Sequence, residues 1–121
     1  MSEKDPNCIF CKIAAGEIPA DVVYENESAI AFNDASPKAP VHVLVIPKKH
    51  LPSLHAAGNE DRELLAELLF ACREIAEKTG VSESGYRVLT NIGEDGGQSV
   101  RHLHFHVLGG RTRPRPCRKA I

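Results

Sequence analysis

The sequence has no excess of charge of either sign, and its first residues contain no long hydrophobic run. Its 121 residues include 15 Lys and Arg against 16 Asp and Glu, a formal net charge of −1 at pH 7. This balance excludes a global field that would mark the whole molecule as a nucleic-acid or membrane binder. The first twenty residues contain no continuous apolar stretch, so neither a signal peptide nor a membrane span is predicted there, and the expected location is cytoplasmic.

Cysteine occurs four times in the chain, too seldom for a dense disulfide scaffold. Without an export signal, four cysteines are more naturally reduced thiols or metal ligands than a disulfide framework. Cys8 and Cys11 form a C-x-x-C pair, whereas Cys72 lies in a helical pattern and Cys117 in a basic tail. The pair is therefore the one cysteine motif that indicates chemistry.

The length predicts one domain, and the hydrophobic pattern predicts two helices. Residues 60–79 place apolar side chains at helical spacing, with Asn59 as the expected N-cap and Gly80 as the C-terminal stop. Residues 8–15 are interpreted as a short first helix that ends at Gly16.

Four earlier runs and one late alternating segment predict strands. Gly, Pro and Asn separate the runs, and Leu103, Phe105 and Val107 alternate with histidines in the period of two that strands impose. The pattern indicates an α+β fold with an antiparallel sheet. The predicted strands cover residues 22–24, 29–32, 42–46, 86–90 and 102–108.

The last eleven residues, 111–121, carry five basic residues, two prolines and no acidic residue. They are interpreted as a tail that follows a single domain of residues 1–110. Short basic tails are usually solvated and disordered, so the sequence does not favour nucleic acid as a partner.

Three of the six histidines lie within five residues, at His102, His104 and His106. On a strand their Cα atoms step by roughly 6.6 Å and their side chains share one face. Ordinary core is excluded, because three adjacent imidazoles need partners for six ring nitrogens. Satisfied or solvent-facing histidines are the alternative, and a functional site is the favoured interpretation.

A polar, glycine-containing loop at residues 91–99 comes directly before the histidines. Its glycines allow backbone amides to converge on an anion such as phosphate. A glycine-rich loop alone is more often a simple turn, but its position next to three histidines favours phosphate binding.

Gly97-Gln98-Ser99-Val100 followed by residues 102–108 resembles the signature of the histidine triad family, and is most similar to its nucleotide-binding branch, called Hint. The resemblance covers residues 8–110. It implies a five-stranded antiparallel sheet with one long and one short helix, in a homodimer that shares an extended sheet. The further matching segments are Cys8-Ile9-Phe10-Cys11-Lys12-Ile13, Gly16-Glu17-Ile18-Pro19, Phe32-Asn33-Asp34, Pro40-Val41-His42 and Ile46-Pro47-Lys48-Lys49-His50.

The activity that the resemblance implies is hydrolysis of purine nucleoside phosphoramidates, including AMP joined to lysine. His104 would attack the α-phosphorus and form a nucleotidyl-histidine that water hydrolyses to AMP. His106 and His42 would orient and charge-balance the phosphate. A neutral imidazole near pH 7 is a competent nucleophile without an external base, which agrees with this assignment.

Further site residues are assigned by position in the same motifs. Ser99 would donate to the leaving group or to a phosphate oxygen, while Asn91 and the amides around Gln98 and Ser99 would neutralise developing charge. Asp34 would hold the ribose hydroxyls, since a carboxylate accepts two hydrogen bonds. The residues matched to the purine slot, which also fit a simple core, are Ile9, Phe10, Ile13, Ile18 and Phe32.

The C-x-x-C pair needs two further ligands to close a tetrahedral zinc site. His50 and His102 are the family-matched candidates, and together with Cys8 and Cys11 they would form a structural Zn²⁺ site. The alternative is two buried thiols on a first helical turn. If His102 binds zinc, His104 and His106 remain as the chemical pair.

The chain departs from the Hint pattern after residue 111, where an aromatic and proline-bearing segment is expected and no tryptophan is present, and at Arg101, where an aromatic is common. The resemblance therefore does not determine which leaving group the protein prefers. Dinucleoside polyphosphate hydrolysis is the sibling alternative. Two other classes are a metal-dependent hydrolase using the H-x-H spacing for catalytic zinc and a nucleotide-binding adaptor with little turnover.

Overall fold

The computed structural model describes residues 5–110, so the tail predicted at 111–121 lies outside the described residues. The chain forms a single antiparallel five-stranded sheet in the order β1-β2-β3-β5-β4, with a short helix and a long helix. The expected α+β fold is confirmed. The elements are α1 (Ile9–Ala14), β1 (Val22–Glu25), β2 (Ala29–Asn33), β3 (Val41–Pro47), α2 (Arg62–Thr79), β4 (Tyr86–Leu89) and β5 (Phe105–Gly109), with two 3₁₀ turns at Leu54–Ala56 and Asn59–Asp61.

Alternation along the strands divides the sheet into two faces with separate cores. Val43 and Val45 of β3 pack with α2, whereas Leu44 and Ile46 pack with α1. Paired residues on neighbouring strands share a face, so Val107 of β5 follows Val43 onto the α2 side. The sheet therefore presents one continuous core to α2 and a second, smaller one to α1.

Helix α2 ends as predicted and begins later than predicted. Gly80 caps its C-terminus in the left-handed conformation, at φ 80°, which glycine adopts without a Cβ clash. The prediction of Asn59 as N-cap is wrong, because a 3₁₀ turn from Asn59 precedes α2, which starts at Arg62. The buried Asp61 holds this turn, accepting from the Gly58 N–H at 2.9 Å and pairing with Lys49 Nζ at 2.7 Å.

The last strand is also shorter than predicted, since β5 starts at Phe105 and leaves His102 and His104 before it. The ladder with β3 begins at the Val45–Phe105 pair. Ahead of it, the Leu103 N–H donates to the Leu51 carbonyl, which directs this segment away from the sheet and towards the loop after β3. The three histidines therefore do not share one strand face.

Within residues 5–110, no helix is long and apolar enough to cross a membrane.

Candidate active site

A cavity of about 600 Å³ opens on the α1 side of the sheet, a volume suited to a small ligand. It lies between α1, the end of β2 and the segment that enters β5. Its walls bring together residues that are far apart in sequence. The predicted site residues that line it are Ile9, Phe10, Ile13, Phe32, Asp34, Ser99, His104 and His106.

His104 is buried and its orientation is fixed by a backbone carbonyl. Its Nδ1 lies 2.7 Å from the His102 oxygen. A carbonyl can only accept, so the proton of the neutral ring resides on Nδ1 and the lone pair on Nε2. The Phe10 ring packs edge-on against the imidazole with centroids 5.2 Å apart. In its neutral form, His104 therefore presents the Nε2 lone pair in a wall of the cavity.

His42 and His106 form a directed hydrogen-bond chain beside His104. The Lys38 backbone N–H donates to His42 Nδ1 at 3.0 Å, which places the proton of the neutral His42 ring on Nε2. The His42 Nε2 lies 3.0 Å from His106 Nδ1 and donates a hydrogen bond to it. His106 therefore carries its own proton on Nε2 and is a donor. Its ring is 5.1 Å from that of His104, centroid to centroid.

Both histidines of this hydrogen-bond chain, His42 and His106, favour the neutral form. Burial lowers the pKa of His106 to about 4, helped by the neighbouring His104 and His42 and opposed by Asp34. Burial also lowers the pKa of His42, with Asp34 again opposing. The pair is therefore uncharged near neutral pH and acts through hydrogen bonding.

Asp34, directly after β2, lies next to this hydrogen-bond chain. One oxygen accepts from the Ser36 N–H at 2.8 Å, and the other lies 3.4 Å from His42 Nε2. The side chain is 21% exposed, against 3% for His42. Its carboxylate is thus accessible from the cavity while remaining next to the buried imidazole.

The polar loop before the histidines is held by its own amide side chains. Gln98 accepts from the Gly93 N–H at 2.9 Å and donates to the Pro52 and Val100 carbonyls at 2.6 and 2.9 Å. Asn91 donates to the Gly96 carbonyl at 2.8 Å. In this state both side chains shape the loop, and neither lines the cavity, unlike the neighbouring Ser99.

A second group of side chains, the Cys/His cluster, consists of Cys8, Cys11, His50 and His102, whose potential ligand atoms lie within 4.8 Å of one another. The His102 Nδ1 is 3.2 Å from Cys8 Sγ, 3.6 Å from Cys11 Sγ and 3.2 Å from His50 Nδ1. The Cys11 Sγ to His50 Nδ1 distance is 3.3 Å. Tetrahedral zinc with ligands at about 2.0–2.3 Å has edges of roughly 3.3–3.8 Å, so the spacing fits this metal.

The surroundings of the Cys/His cluster also suit metal ligation. The Cys11 N–H donates to Cys8 Sγ at 3.3 Å and the Asp5 N–H to Cys11 Sγ at 3.4 Å. Such donors stabilise thiolates. His102 Nε2 donates to the Pro47 carbonyl at 2.9 Å, which leaves its Nδ1 lone pair directed at the cluster. The donor set, tautomer and spacing together fit a structural zinc site.

Sequence reasoning missed one polar contact to the central histidine. The Thr90 hydroxyl, directly after β4, donates to the His104 carbonyl at 2.7 Å. It also missed part of the cavity wall, because the motifs assign no role to these residues. The additional lining residues are Pro19, Ala20, Asp21, Asn33, Ala35, Leu44 and Val100.

The sequence of this chain also matches known proteins. A family model described as the scavenger mRNA decapping enzyme C-terminal binding domain matches residues 7–119. Protein HitA of Neisseria gonorrhoeae is 48% identical over 103 residues, which cover 85% of this chain and 95% of HitA. The chain belongs to the histidine triad (HIT) family.

Solved structures give the same result. A HIT family hydrolase from Legionella pneumophila has a TM-score of 0.86 and 49% identity, covering 91% of this chain and 98% of its own. A histidine triad nucleotide-binding protein from Candida albicans has a TM-score of 0.77 and 31% identity, covering 94% and 90%. The fold and family expected from the histidine motif are therefore confirmed.

Proposed function

We propose that this chain is a purine nucleoside phosphoramidate hydrolase that releases AMP through a nucleotidyl-His104 intermediate. The observation that carries the proposal is the hydrogen bond from His104 Nδ1 to the His102 carbonyl, which leaves the Nε2 lone pair free in a cavity of suitable size. A relative named as a nucleotide-binding protein and another named as a hydrolase support the same class.

In the proposed reaction, His104 Nε2 attacks the α-phosphorus and the bond from phosphorus to the leaving amine breaks. The departing nitrogen takes up a proton, for which the His106 Nε2–H and the Ser99 hydroxyl are the nearby donors in the site. Water then attacks the phosphorus and gives its proton back to the residue that protonated the amine. The bond between phosphorus and His104 Nε2 breaks, AMP leaves and His104 is regenerated. His42 holds His106 in the donor tautomer before the transfer.

The nucleoside would occupy the apolar part of the cavity. Ile9, Phe10, Ile13 and Phe32 would contact the purine, and Asp34 would accept from the ribose hydroxyls. The backbone amides of the loop that ends at Ser99 would receive the phosphate. In this assignment Asn91 and Gln98 act by holding the loop in shape.

The test is hydrolysis of a fluorogenic adenosine phosphoramidate by the wild-type protein and by His104→Ala. We expect turnover to fall by at least about a thousandfold, because only binding and charge stabilisation remain without the nucleophile. His55→Ala, which removes a histidine from the 3₁₀ turn outside the cavity, is the matched control. Undiminished turnover by folded His104→Ala would reject the assignment, and AMP binding without wild-type turnover would favour an adaptor.

The leaving group is tested with paired substrates. We expect an AMP-lysine phosphoramidate to be hydrolysed faster than a dinucleoside polyphosphate, and the reverse order would favour dinucleoside polyphosphate hydrolysis.

Metal removal tests the alternative of a metal-dependent hydrolase. Activity that survives metal removal in a folded protein would exclude the metal-dependent mechanism.

The Cys/His cluster is proposed to hold structural Zn²⁺. Zinc there would tie the start of α1, the segment after β3 and the approach to β5 into one unit. It would supply stability and position the carbonyl of His102, to which His104 donates.

A homodimer is proposed from apolar surface on α2 and β4. Leu69 and Phe70 are 52% and 63% exposed, and Tyr86 and Val88 of β4 are 36% and 40% exposed. Strand β4 is a sheet edge, and Val88 pairs with Val107 and so lies on the α2 side. Continuing the sheet across β4 of a second copy would cover both surfaces.

Sedimentation of the wild-type protein and of Phe70→Glu tests the proposed homodimer by measuring the oligomeric state. A monomeric wild type would reject it.

A further inference from the structure

A second groove, the Arg101 groove, adjoins the active-site cavity at the start of α1. Its volume is about 340 Å³. Ile9, Ser99 and Val100 line both spaces, so the groove begins where the cavity wall carries the Ser99 hydroxyl. The residues that line the groove and not the cavity are Asp5, Asn7, Cys8 and Arg101. A molecule bound in the cavity can therefore extend past Ser99 into the Arg101 groove.

The Arg101 groove lies on the leaving-group side of the proposed reaction. In that reaction the Ser99 hydroxyl is a donor beside the departing nitrogen, so the substituent on this nitrogen begins next to Ser99. Another groove joins the cavity at Ile13, Pro19 and Ala20, but Ile13 is assigned to the purine. Of the two, the Arg101 groove is the one that adjoins the leaving amine, and to this extent the inference rests on the proposed function.

Arg101 brings a positive charge to this groove. Its backbone is held from both sides. The preceding carbonyl, of Val100, accepts from Gln98 Nε2 at 2.9 Å, and the following residue, His102, donates to a carbonyl at the same distance. The Arg101 side chain is exposed and has no ion-pair or hydrogen-bond partner in the described part of the chain. A guanidinium binds a carboxylate through two parallel hydrogen bonds. Arg101 is therefore available for a carboxylate in the groove.

Asp5 places a carboxylate on the same groove. Its N–H donates to Cys11 Sγ at 3.4 Å and its carbonyl accepts from the Cys8 N–H at 3.0 Å. Its Oδ1 accepts from the Asn7 N–H at 2.9 Å, and Oδ2 has no partner among the described residues. Asp5 and Arg101 form no ion pair with each other within the described chain. The groove therefore presents two opposite charges that are not neutralised by each other.

We propose that the Arg101 groove binds the amino-acid end of the leaving group, and that the preferred substrate is AMP joined to the ε-nitrogen of free lysine. Arg101 binds the α-carboxylate and Asp5 binds the α-ammonium, while the ε-nitrogen is bonded to phosphorus beside Ser99. Lysine within a protein chain carries neither of these charges, and a simple alkylamine leaves Arg101 unmatched. Arg101 is thus the specificity-determining residue for the leaving group.

Three substrates that differ by one charged group test this assignment. They are AMP joined to the ε-nitrogen of lysine, AMP joined to 1,5-diaminopentane, which lacks the carboxylate, and AMP joined to 6-aminohexanoate, which lacks the second ammonium. For the wild type we expect kcat/KM to be at least about fivefold higher for the lysine compound than for the diaminopentane compound, because a charge-assisted hydrogen bond is lost. The 6-aminohexanoate compound should lose about twofold to threefold, since a single-point contact to Asp5 is weaker.

Variants assign each preference to a residue. Arg101→Gln should reduce the preference for the carboxylate to less than about twofold. Asp5→Asn keeps an Oδ1 acceptor for the Asn7 N–H and should remove only the preference for the ammonium. Arg62→Gln, which removes a positive charge at the start of α2 where Arg62 bonds Asn59, is the matched control and should change neither ratio. If Arg101→Gln lowered kcat/KM equally for all three substrates in folded protein, its role would be structural and the inference would be overturned.

Binding distinguishes a failure of this inference from a failure of the proposed function. The same compounds are titrated by calorimetry into His104→Ala, with and without Arg101→Gln. We expect Kd to follow the order of kcat/KM, and a preference in kcat/KM alone would place the contact in the transition state. If binding shows the preference but the wild type does not turn over, the hydrolase proposal fails and the assignment of the groove stands. Equal Kd and equal kcat/KM for the lysine and diaminopentane compounds would overturn the inference although both are hydrolysed, and no binding of any compound would reject both proposals.

Discussion

The α2 face of the sheet and the α1 face are built from the same strands with different side chains. On the α2 face, Ala31 and Val45 are completely buried in the main apolar core. One residue after Ala31, Phe32 packs on the α1 face and lines the cavity, and His42 of β3 is buried on the same face as Leu44. Strand alternation therefore separates a face that stabilises the fold from one that carries polar chemistry.

The two faces also differ in how their buried groups are held. The main core depends on apolar contact, which is non-directional and tolerates small shifts. The buried histidines of the α1 face depend on directed hydrogen bonds to the Lys38 N–H and to the His102 and Pro47 carbonyls. In the described part of the chain, no buried side-chain nitrogen or oxygen is without a hydrogen-bond partner. Mutations should therefore affect stability on one face and chemistry on the other.

The largest expected effect on stability comes from metal removal on the α1 face. Chelation of a zinc-loaded protein should lower its free energy of unfolding by about 3 to 4 kcal/mol, for free zinc at a hundred to a thousand times Kd. Urea unfolding with metal analysis measures this. His50→Ala should lose the metal and His55→Ala should retain it, whereas zinc-free protein from zinc-replete growth would contradict the proposal.

A substitution on the α2 face that lowers the free energy of unfolding by a similar amount should leave turnover unchanged. Ile75 is completely buried against the sheet, and Ile75→Ala should destabilise by about 3 kcal/mol through lost contacts and a cavity. Turnover per folded molecule should match the wild type. Glu74→Ala, at an exposed position of the same helix, should change stability by less than about 0.5 kcal/mol. If Ile75→Ala slowed turnover in folded protein, the separation between the faces would be wrong.

The pH dependence of stability should reflect the partly buried His106. Burial lowers the pKa of His106 from 6.5 to about 4, so the unfolded state binds more protons between these values. Stability should therefore fall as pH drops from 6.5 to 4, by roughly 1–2 kcal/mol after discounting for partial exposure. His106→Asn should show a shallower loss over this window in urea titrations, and an identical slope in both proteins would rule out this contribution.

The smallest effect is expected from removing a single hydroxyl. Thr90→Val loses the 2.7 Å hydrogen bond to the His104 carbonyl and should cost about 1 kcal/mol, with a several-fold lower kcat/KM. Thr79→Val is a matched control, since its hydroxyl donates to the Ile75 carbonyl at the same distance on α2. Equal kinetic effects of the two substitutions would show that Thr90 does not position His104.

Local patterns predicted much of the fold because they carry direct geometric signals. The apolar spacing of 60–79 and the left-handed preference of Gly80 gave α2 and its end, and the runs before residue 90 gave four strands to within one residue at each end. The start of α2 was misplaced because Asp61 takes its contacts from Gly58 and Lys49, and Lys49 is distant in sequence.

The histidines show the limit of local reasoning. The period of two in residues 102–108 predicted one strand and one shared face, yet the ladder begins only at Phe105. His102 lies instead with Cys8, Cys11 and His50, partners up to 94 residues away. A separate histidine, His42, takes its place beside His106 because β3 and β5 are neighbours in the sheet.

By itself, the sequence determined the family, the α+β class and the residue types available for chemistry, because motif and periodicity are properties of neighbouring positions. Only the tertiary structure decided which nitrogen of His42 and of His104 carries the proton of the neutral ring, since the Lys38 N–H and the His102 carbonyl fix these tautomers through space. It also brought Asp34 to His42, a contact that depends on the turn joining β2 and β3. The sequence states which side chains are present. The protonated nitrogen of the His42 and His104 rings, and the side chains that contact these rings, depend on hydrogen bonds and contacts between segments that folding brings together.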